Sequence, residues 1–392
     1  MPAKGAGTIP QHRNSSSVGR VLVIGGGICG LSVAWRLAQA GIAVGVVDAG
    51  EAGRGATWAA GGMLAAALEA EPGEEAMVGL ARWSQDLWPD WAARLAAASG
   101  AGVGYRGEGT VHLAVGRDEL TALHHRLRYL RRLALPVEWC DAGALREREP
   151  ALSPDVLGAI ASPGDHQVDP RAVVPALLAA LAAAGVPVET GRAATAVEPD
   201  GGGWRVRFGC GRGERADHVV LAAGAWSGGL AGWPAQPVRP AKGQAVILQM
   251  DPESPLLRHV VWGAGIYLVP RADGRLYVGA TVEDRGFDRQ PTAGGVLSLL
   301  EAAWRILPGL EELPVVELVT GLRPRSRDDL PIVGPLGGGL HVATGHHRNG
   351  ILLAPATAEL VLAGIEGRPA AIDDAPFRPA RFTGKIEVPL PA

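Results

Sequence analysis

Gly25, Gly27 and Gly30, followed by Asp48, have the residue types and spacing that hold a dinucleotide. The first glycine permits a tight turn, the second lets backbone approach a pyrophosphate, and the third lets a helix pack closely on a strand. A carboxylate at the distance of Asp48 accepts hydrogen bonds from a ribose hydroxyl. The elements that must position these residues surround them. Val21–Ile24 is an apolar, β-branched-rich run suited to a strand buried on both faces. Leu31, Ala34, Leu37 and Ala38 give the next segment a helical apolar stripe, and Gly41 stops it. Phosphates would rest on the open N-terminus of that helix, where free N–H groups and the dipole favour anions.

The glycine pattern alone carries little. Glycine supplies 56 of 392 residues, so roughly one such pattern arises by chance. A second match, Gly102, Gly104 and Gly107, follows a small-residue helical stretch and precedes no periodic helix. It reads as a loop. The first match stands because strand, helix, spacing and terminal acid agree.

Composition bounds the rest. Hydrophobic residues make up 47%, charged residues 20%, and the net charge is -3. This is a globular profile that gives no reason to expect nucleic acid or an anionic membrane as partner. Cys29, Cys140 and Cys210 form no close pair, which argues for a reducing, cytoplasmic setting. The first 19 residues are polar and read as a disordered leader. The apolar run Ala172–Ala184 contains Pro175 and is too short to span a bilayer.

After Asp48 the small-residue stretch Ala49–Leu68 suits close contact with a flat ligand. A flexible linker is the alternative, opposed by the interleaved Trp58, Met63 and Leu64. Met77–Ala98, Leu120–Leu133, Ala172–Ala184, Leu297–Leu307 and Ile351–Ile365 carry helical patterns. Gly109–Val115, Pro187–Glu189, Thr195–Glu198, Trp204–Phe208 and His218–Ala222 read as strands. Val238–Met250 and Ile266–Thr281 add an antiparallel block, so one domain interrupts another.

Three further segments carry a resemblance. His218–Ala222 followed by GAWS (Gly224–Ser227), GLRPRSRDDLPIVGP (Gly321–Pro335) and GHHRNGILLAPAT (Gly345–Thr357) resemble motifs of the D-amino-acid oxidase superfamily. The terminal FRPARF, Phe377–Phe382, is similar to how those chains finish. GRGATWAAGGML, IYLVPRADGRLYVGAT (Ile266–Thr281) and RNGILLAPAT resemble, within it, the glycine oxidases of thiamine biosynthesis. The resemblance implies an α/β fold with a Rossmann-like FAD-binding domain and an antiparallel β-sheet substrate domain. It places residues 20–85, 154–235 and 318–375 in the FAD-binding domain and 86–153 and 236–317 in the substrate domain, with 376–392 as tail.

The resemblance also implies residue roles. Arg323 would clamp a substrate carboxylate through paired hydrogen bonds; without the motif, an arginine between leucine and proline is ordinarily a surface residue. Tyr267 would place its hydroxyl on the same carboxylate. Arg348 would offer its backbone carbonyl to the substrate amine, while Arg325 and Arg327 would face solvent. Non-covalent FAD contacts fall on Gly25, Gly27, Ile28, Cys29, Gly30, Asp48, Ala49, Ala56, Thr57, Gly61, Gly62, Met63, Ala194, Gly224, His346, His347, Arg348, Asn349, Gly350, Ile351 and Leu352. Met63 would also wall the substrate. A helix starting near Gly350 would stabilise negative charge on the reduced ring. Adjacent histidines point apart and lack a third ligand, so no metal is expected at His346–His347. Lys242, one of three lysines, matches a family turn and is read as structural.

The implied activity is oxidation of glycine, and of sarcosine or small D-amino acids, by hydride transfer to flavin. Oxygen would be reduced to hydrogen peroxide. No side chain is needed as acid or base, only positioning. The imine would pass to a thiazole synthase, and a homotetramer is the family expectation. Gly265 and Val282 stand where relatives carry larger groups, which leaves substrate size open. The rival readings are a sarcosine or D-amino-acid dehydrogenase with another electron acceptor, and a nucleotide-binding protein without turnover.

Overall fold

The computed structural model describes residues 18–230, 237–263 and 265–382. Most of the leader, and residues 383–392 of the tail, lie outside the described residues.

Val21–Ile24 is buried at all four positions, as an uninterrupted apolar run requires. It lies inside a six-stranded sheet ordered Ile332–Gly337, Leu340–Thr344, His218–Leu221, Val21–Ile24, Val44–Val47, Val188–Glu189. All neighbours run parallel except the first pair. The helix Ile28–Gln39 crosses one face and ends where Gly41 takes a positive φ of 76°. Glu75–Ser99, Pro170–Ala183 and Ala354–Glu366 share its apolar core. On the other face a three-stranded sheet supplies Trp204, Val206 and Phe208, packed on Leu22, Leu221 and Val342.

The second sheet has eight strands, ordered Val315–Ser326, Val238–Gln249, Arg275–Gly279, Ile266–Pro270, Val260–Gly263, Thr110–Val115, Val156–Ser162, Glu138–Asp141. It is not wholly antiparallel: Val260–Gly263 runs parallel to Thr110–Val115. Those strands are remote in sequence, so no hairpin fixes their direction. One register row joins His112, Trp262, Tyr267, Gly279 and Ala245. Residues of one row share a face, and this row looks toward the first sheet. The alternate residues Val111, Val261, Leu268, Val278 and Val246 face the helix Ala293–Ile306.

Sequence boundaries and sheet membership differ in two places. Val156–Ser162 falls in the 154–235 segment but pairs in the eight-stranded sheet, and Val315–Ser326 crosses the 317/318 boundary. A buried apolar run looks the same whichever sheet it joins. The C-terminal helix begins at Ala354 rather than Gly350; a tight turn precedes it, with Leu353 N–H donating to the Asn349 carbonyl at 2.9 Å. Lys242 sits within the strand Val238–Gln249, not in a turn. Its Nζ is fully buried, 2.7 Å from Asp288 Oδ2 and 2.6 Å from the Gln290 carbonyl, and so ties down the loop that carries Arg289.

Candidate active site

The space between the two sheets is a cavity of about 1220 Å³. It runs from the glycine turn at Gly25 to the guanidinium of Arg323. At the first end the glycines are sterically required. A Cβ on Gly30 would collide with the Gly25 carbonyl oxygen and stand 3.3 Å from Ala222 Cβ. Gly25 has φ 116° and would press a Cβ into the Ala222 carbonyl. Asp48 lies beside the turn: Oδ2 accepts from Gly26 N–H at 2.6 Å and Oδ1 from Gly50 N–H at 2.8 Å. Ile28 N–H donates to Thr57 Oγ1 at 3.0 Å, so Thr57 already satisfies one of the helix's N-terminal donors.

Most of the expected site residues line this one cavity. They are Gly25, Gly27, Ile28, Cys29, Asp48, Ala49, Ala56, Thr57, Gly61, Gly62, Met63, Ala194, Gly224, Tyr267, Arg323, His346, His347, Arg348, Gly350 and Ile351. Gly30, Asn349 and Leu352 do not line it. Gly30 acts through close packing, and Asn349 is buried with its carbonyl in the turn. Leu352 belongs to the core, its carbonyl accepting from Ser84 Oγ at 2.7 Å and Trp88 Nε1 at 2.9 Å. The Ala49–Leu68 stretch is not a linker: most of Ala49–Met63 is wall and Leu64–Leu68 is buried core, and Gly62, at φ 73°, packs so closely on Val168 and Pro170 that no Cβ fits.

At the far end Arg323 is half-buried and donates from Nη1 to the Thr281 carbonyl at 2.9 Å. Its guanidinium lies over Gly243, where a Cβ would stand 2.6 Å from Cζ and 2.7 Å from Nη2. Tyr267 stacks on Tyr277, with centroids 5.9 Å apart and planes 3° apart, and Tyr277 donates to the Ala59 carbonyl at 2.7 Å. Burial raises the Tyr267 hydroxyl above its usual pKa, opposed by the Arg323 charge. The Arg348 side chain is paired, its Nε 3.1 Å from Glu69 Oε2 and Nη2 2.6 Å from Glu74 Oε2. Arg325 is not free in solvent; it is half-buried and grips Asp329 at 2.6 and 2.8 Å. Arg327 is exposed.

Burial also sets the charge state of the walls. His346 and His347 are pushed down to about 4, and Cys29 is pushed up to about 12, so all three are neutral near pH 7. His346 Nε2 and Thr357 Oγ1 are 2.9 Å apart. Among the described residues no group of three His, Cys, Asp or Glu is arranged to hold a metal.

Sequence reasoning missed Glu69, His112, Arg126 and Trp262, which also line the cavity. Trp262 lies 6.3 Å from His112 and 5.3 Å from Tyr267, ring centroid to centroid. Only the strand register that puts His112 and Trp262 beside Tyr267 could have revealed those two.

A family model described as FAD dependent oxidoreductase, DAO, matches residues 20–363. A glycine oxidase of Geobacillus kaustophilus is 36% identical over 374 residues, covering 94% of this chain and 98% of that protein. The crystal structure of glycine oxidase from that organism superposes with a TM-score of 0.87 at 35% identity, covering 94% of this chain and all of that one. A bifunctional protein ThiO/ThiG of Trichormus variabilis is 36% identical over 348 residues, which is 87% of this chain and 52% of the longer protein. The structure of an iminodiacetate oxidase from Chelativorans sp. BNC1 is similar at 29% identity and TM-score 0.83, covering 92% of this chain and 99% of that one.

Proposed function

The chain belongs to the DAO family of FAD-dependent oxidoreductases, and on that premise we propose that it oxidises glycine, and small N-alkyl glycines such as sarcosine, to the imine. The observation that carries this is that Arg323 and Tyr267, on the eight-stranded sheet, line the same cavity as the glycine turn of the six-stranded sheet. FAD, when bound, supplies the two-electron acceptor for the hydride of the substrate α-carbon. Gly25, Gly27 and Asp48 would hold its dinucleotide portion, with Ala194 and Gly224 alongside, and the Gly61–Met63 wall and the turn at His346–Ile351 would flank its ring.

The protein's own task is positioning. Arg323 binds the substrate carboxylate through paired charge-assisted hydrogen bonds, and the Tyr267 hydroxyl donates to the same group. The Arg348 backbone carbonyl accepts from the amine, and Met63 supplies an adaptable apolar wall. The six-stranded sheet serves the cofactor and the eight-stranded sheet the substrate. The ThiO/ThiG relative, half of which this chain spans, supports hand-off of the imine to a thiazole synthase. Oxygen as acceptor, with release of hydrogen peroxide, completes the reading.

Two measurements test it. Anaerobic glycine and sarcosine are expected to bleach the flavin, and D-alanine and D-proline to do so more slowly; failure of all four to bleach it removes the assignment. A peroxidase-coupled assay in air then separates an oxidase from a dehydrogenase. One observation favours a broader range: Gly265 and Val282 both line the cavity, and the space beside Gly265 is open. Iminodiacetate belongs in the same panel for that reason.

Gly243→Ala probes the clamp while leaving Arg323 itself in the sequence. The new methyl must push the guanidinium aside. The flexible end of Arg323 can give way at little cost to the fold, but the clamp leaves its position, and KM for glycine should rise about tenfold, or about 1.4 kcal/mol. The flavin spectrum should stay unchanged. An unaltered KM would mean that the guanidinium of Arg323 can work from elsewhere.

A further inference from the structure

On the amino-acid oxidation reading above, we propose that Glu69 accepts the proton of the substrate ammonium group, leaving the neutral amine that the oxidation needs. The family expectation assigns no acid or base, but the cavity contains a carboxylate set for this task. Glu69 follows the short strand Met63–Leu64 in a turn closed by its own N–H on the Ala65 carbonyl at 3.1 Å. Its side chain is only 8% exposed, yet it lines the cavity.

The surrounding charges single it out. From the turn before the C-terminal helix, Arg348 holds Oε2 at 3.1 Å and is shared with Glu74. Glu69, Tyr267 and Arg323 line the same cavity, and Glu69 is close enough to feel the charge of Arg323. Behind it Asp165 is fully buried, accepting from Ala67 and Leu68 N–H at 3.0 and 2.8 Å. Arg126 on the neighbouring helix is occupied by Glu71 at 2.9 Å. Asp48, bound to two backbone N–H groups, lies at the other end. Glu69 is thus a buried, cavity-lining acid that shares its electrostatics with Arg323. A zwitterion clamped at Arg323 by its carboxylate turns its ammonium group toward an anion.

Burial lifts Glu69 to about 7, with Asp165 adding to the rise and Arg348 and Arg323 opposing it. Above that pH it is a carboxylate able to take a proton. In the step, an N–H bond breaks and an O–H bond forms on the carboxylate. The electron pair remains on nitrogen and becomes the C=N bond as the α-hydrogen leaves with its own pair to the acceptor FAD supplies. Product release returns the proton to water.

The test is the pH profile of anaerobic flavin reduction by glycine in wild type, Glu69→Gln and Glu69→Asp. Wild type should show an acid limb near 7. In Glu69→Gln that limb should vanish, leaving a rate that rises with pH as the free amine of glycine forms. The deficit should be about 100-fold at pH 7, the scale of a lost general base, and should narrow as the pH rises. Glu69→Asp should retain a limb. Infrared difference titration of the wild type should show a carboxyl near 7 that Glu69→Gln lacks. A loss in Glu69→Gln uniform over pH, or a limb that persists, overturns the proposal while leaving glycine oxidation intact. A wild type that no small amino acid reduces at any pH overturns the underlying reading instead.

Discussion

Gly30→Ala is expected to yield protein that purifies without the yellow of bound FAD. A methyl at residue 30 cannot coexist with the Gly25 carbonyl oxygen, and Ala222 Cβ blocks retreat on the other side. The Gly25 backbone is itself pinned, its N–H donating to the Val47 carbonyl at 2.8 Å inside the parallel sheet. The helix Ile28–Gln39 must therefore lift from the strand Val21–Ile24. Its N-terminus moves away from the place where the pyrophosphate would lie. Displacement by even part of an ångström breaks several short, charge-assisted hydrogen bonds together. A loss of about 3 kcal/mol, or about 100-fold in FAD affinity, is the scale expected. Flavin absorbance of the purified variant and a fluorescence titration of its apoprotein measure this. Stoichiometric flavin in Gly30→Ala would show that the turn tolerates the methyl and that the cradle has been misassigned. Far-ultraviolet circular dichroism separates lost affinity from lost fold.

The difference between Gly30 and residues such as Trp262 explains what was legible in the chain. Gly30 belongs to a local pattern in which strand, turn and helix follow within a few residues, so spacing alone constrains geometry. His218–Leu221, Arg323 and the turn at Arg348 were placed by motif, and each motif is again one continuous segment. Trp262 and His112 reach the cavity because Val260–Gly263 pairs in parallel with Thr110–Val115. That pairing joins residues 150 positions apart, such as Thr110 and Val260, and no local periodicity encodes it. The strand Glu138–Asp141 escaped notice for a different reason. It is a polar edge strand with one buried residue, Cys140, and so carries no alternation to detect. Glu69 was hidden because it opens an acidic run with Glu71, Glu74 and Glu75, which reads as a solvated segment until the burial of Glu69 is seen.

Arg323→Ala is expected to lower kcat/KM for glycine by roughly 10²–10³-fold or more, mostly through KM. Deleting one partner of a desolvated, hydrogen-bonded charge pair costs about 3–5 kcal/mol, because the substrate carboxylate keeps its desolvation penalty and loses its counter-ion. Arg323→Lys should recover only part, since an ammonium cannot form the paired contacts of a planar guanidinium. The protein should remain yellow, because Arg323 belongs to the eight-stranded sheet, whereas the glycine turn follows a strand of the six-stranded one. A second signature follows from the electrostatics. Arg323 holds the carboxyl of Glu69 down, so its removal must raise that pKa further. The acid limb of flavin reduction should then move above 7 in Arg323→Ala, whereas in Gly243→Ala, which keeps the charge, it should move much less. Glycine kinetics in Arg323→Ala that match wild type would place the carboxylate clamp elsewhere in the cavity. A weakened KM with an unmoved limb would keep the clamp but uncouple it from Glu69.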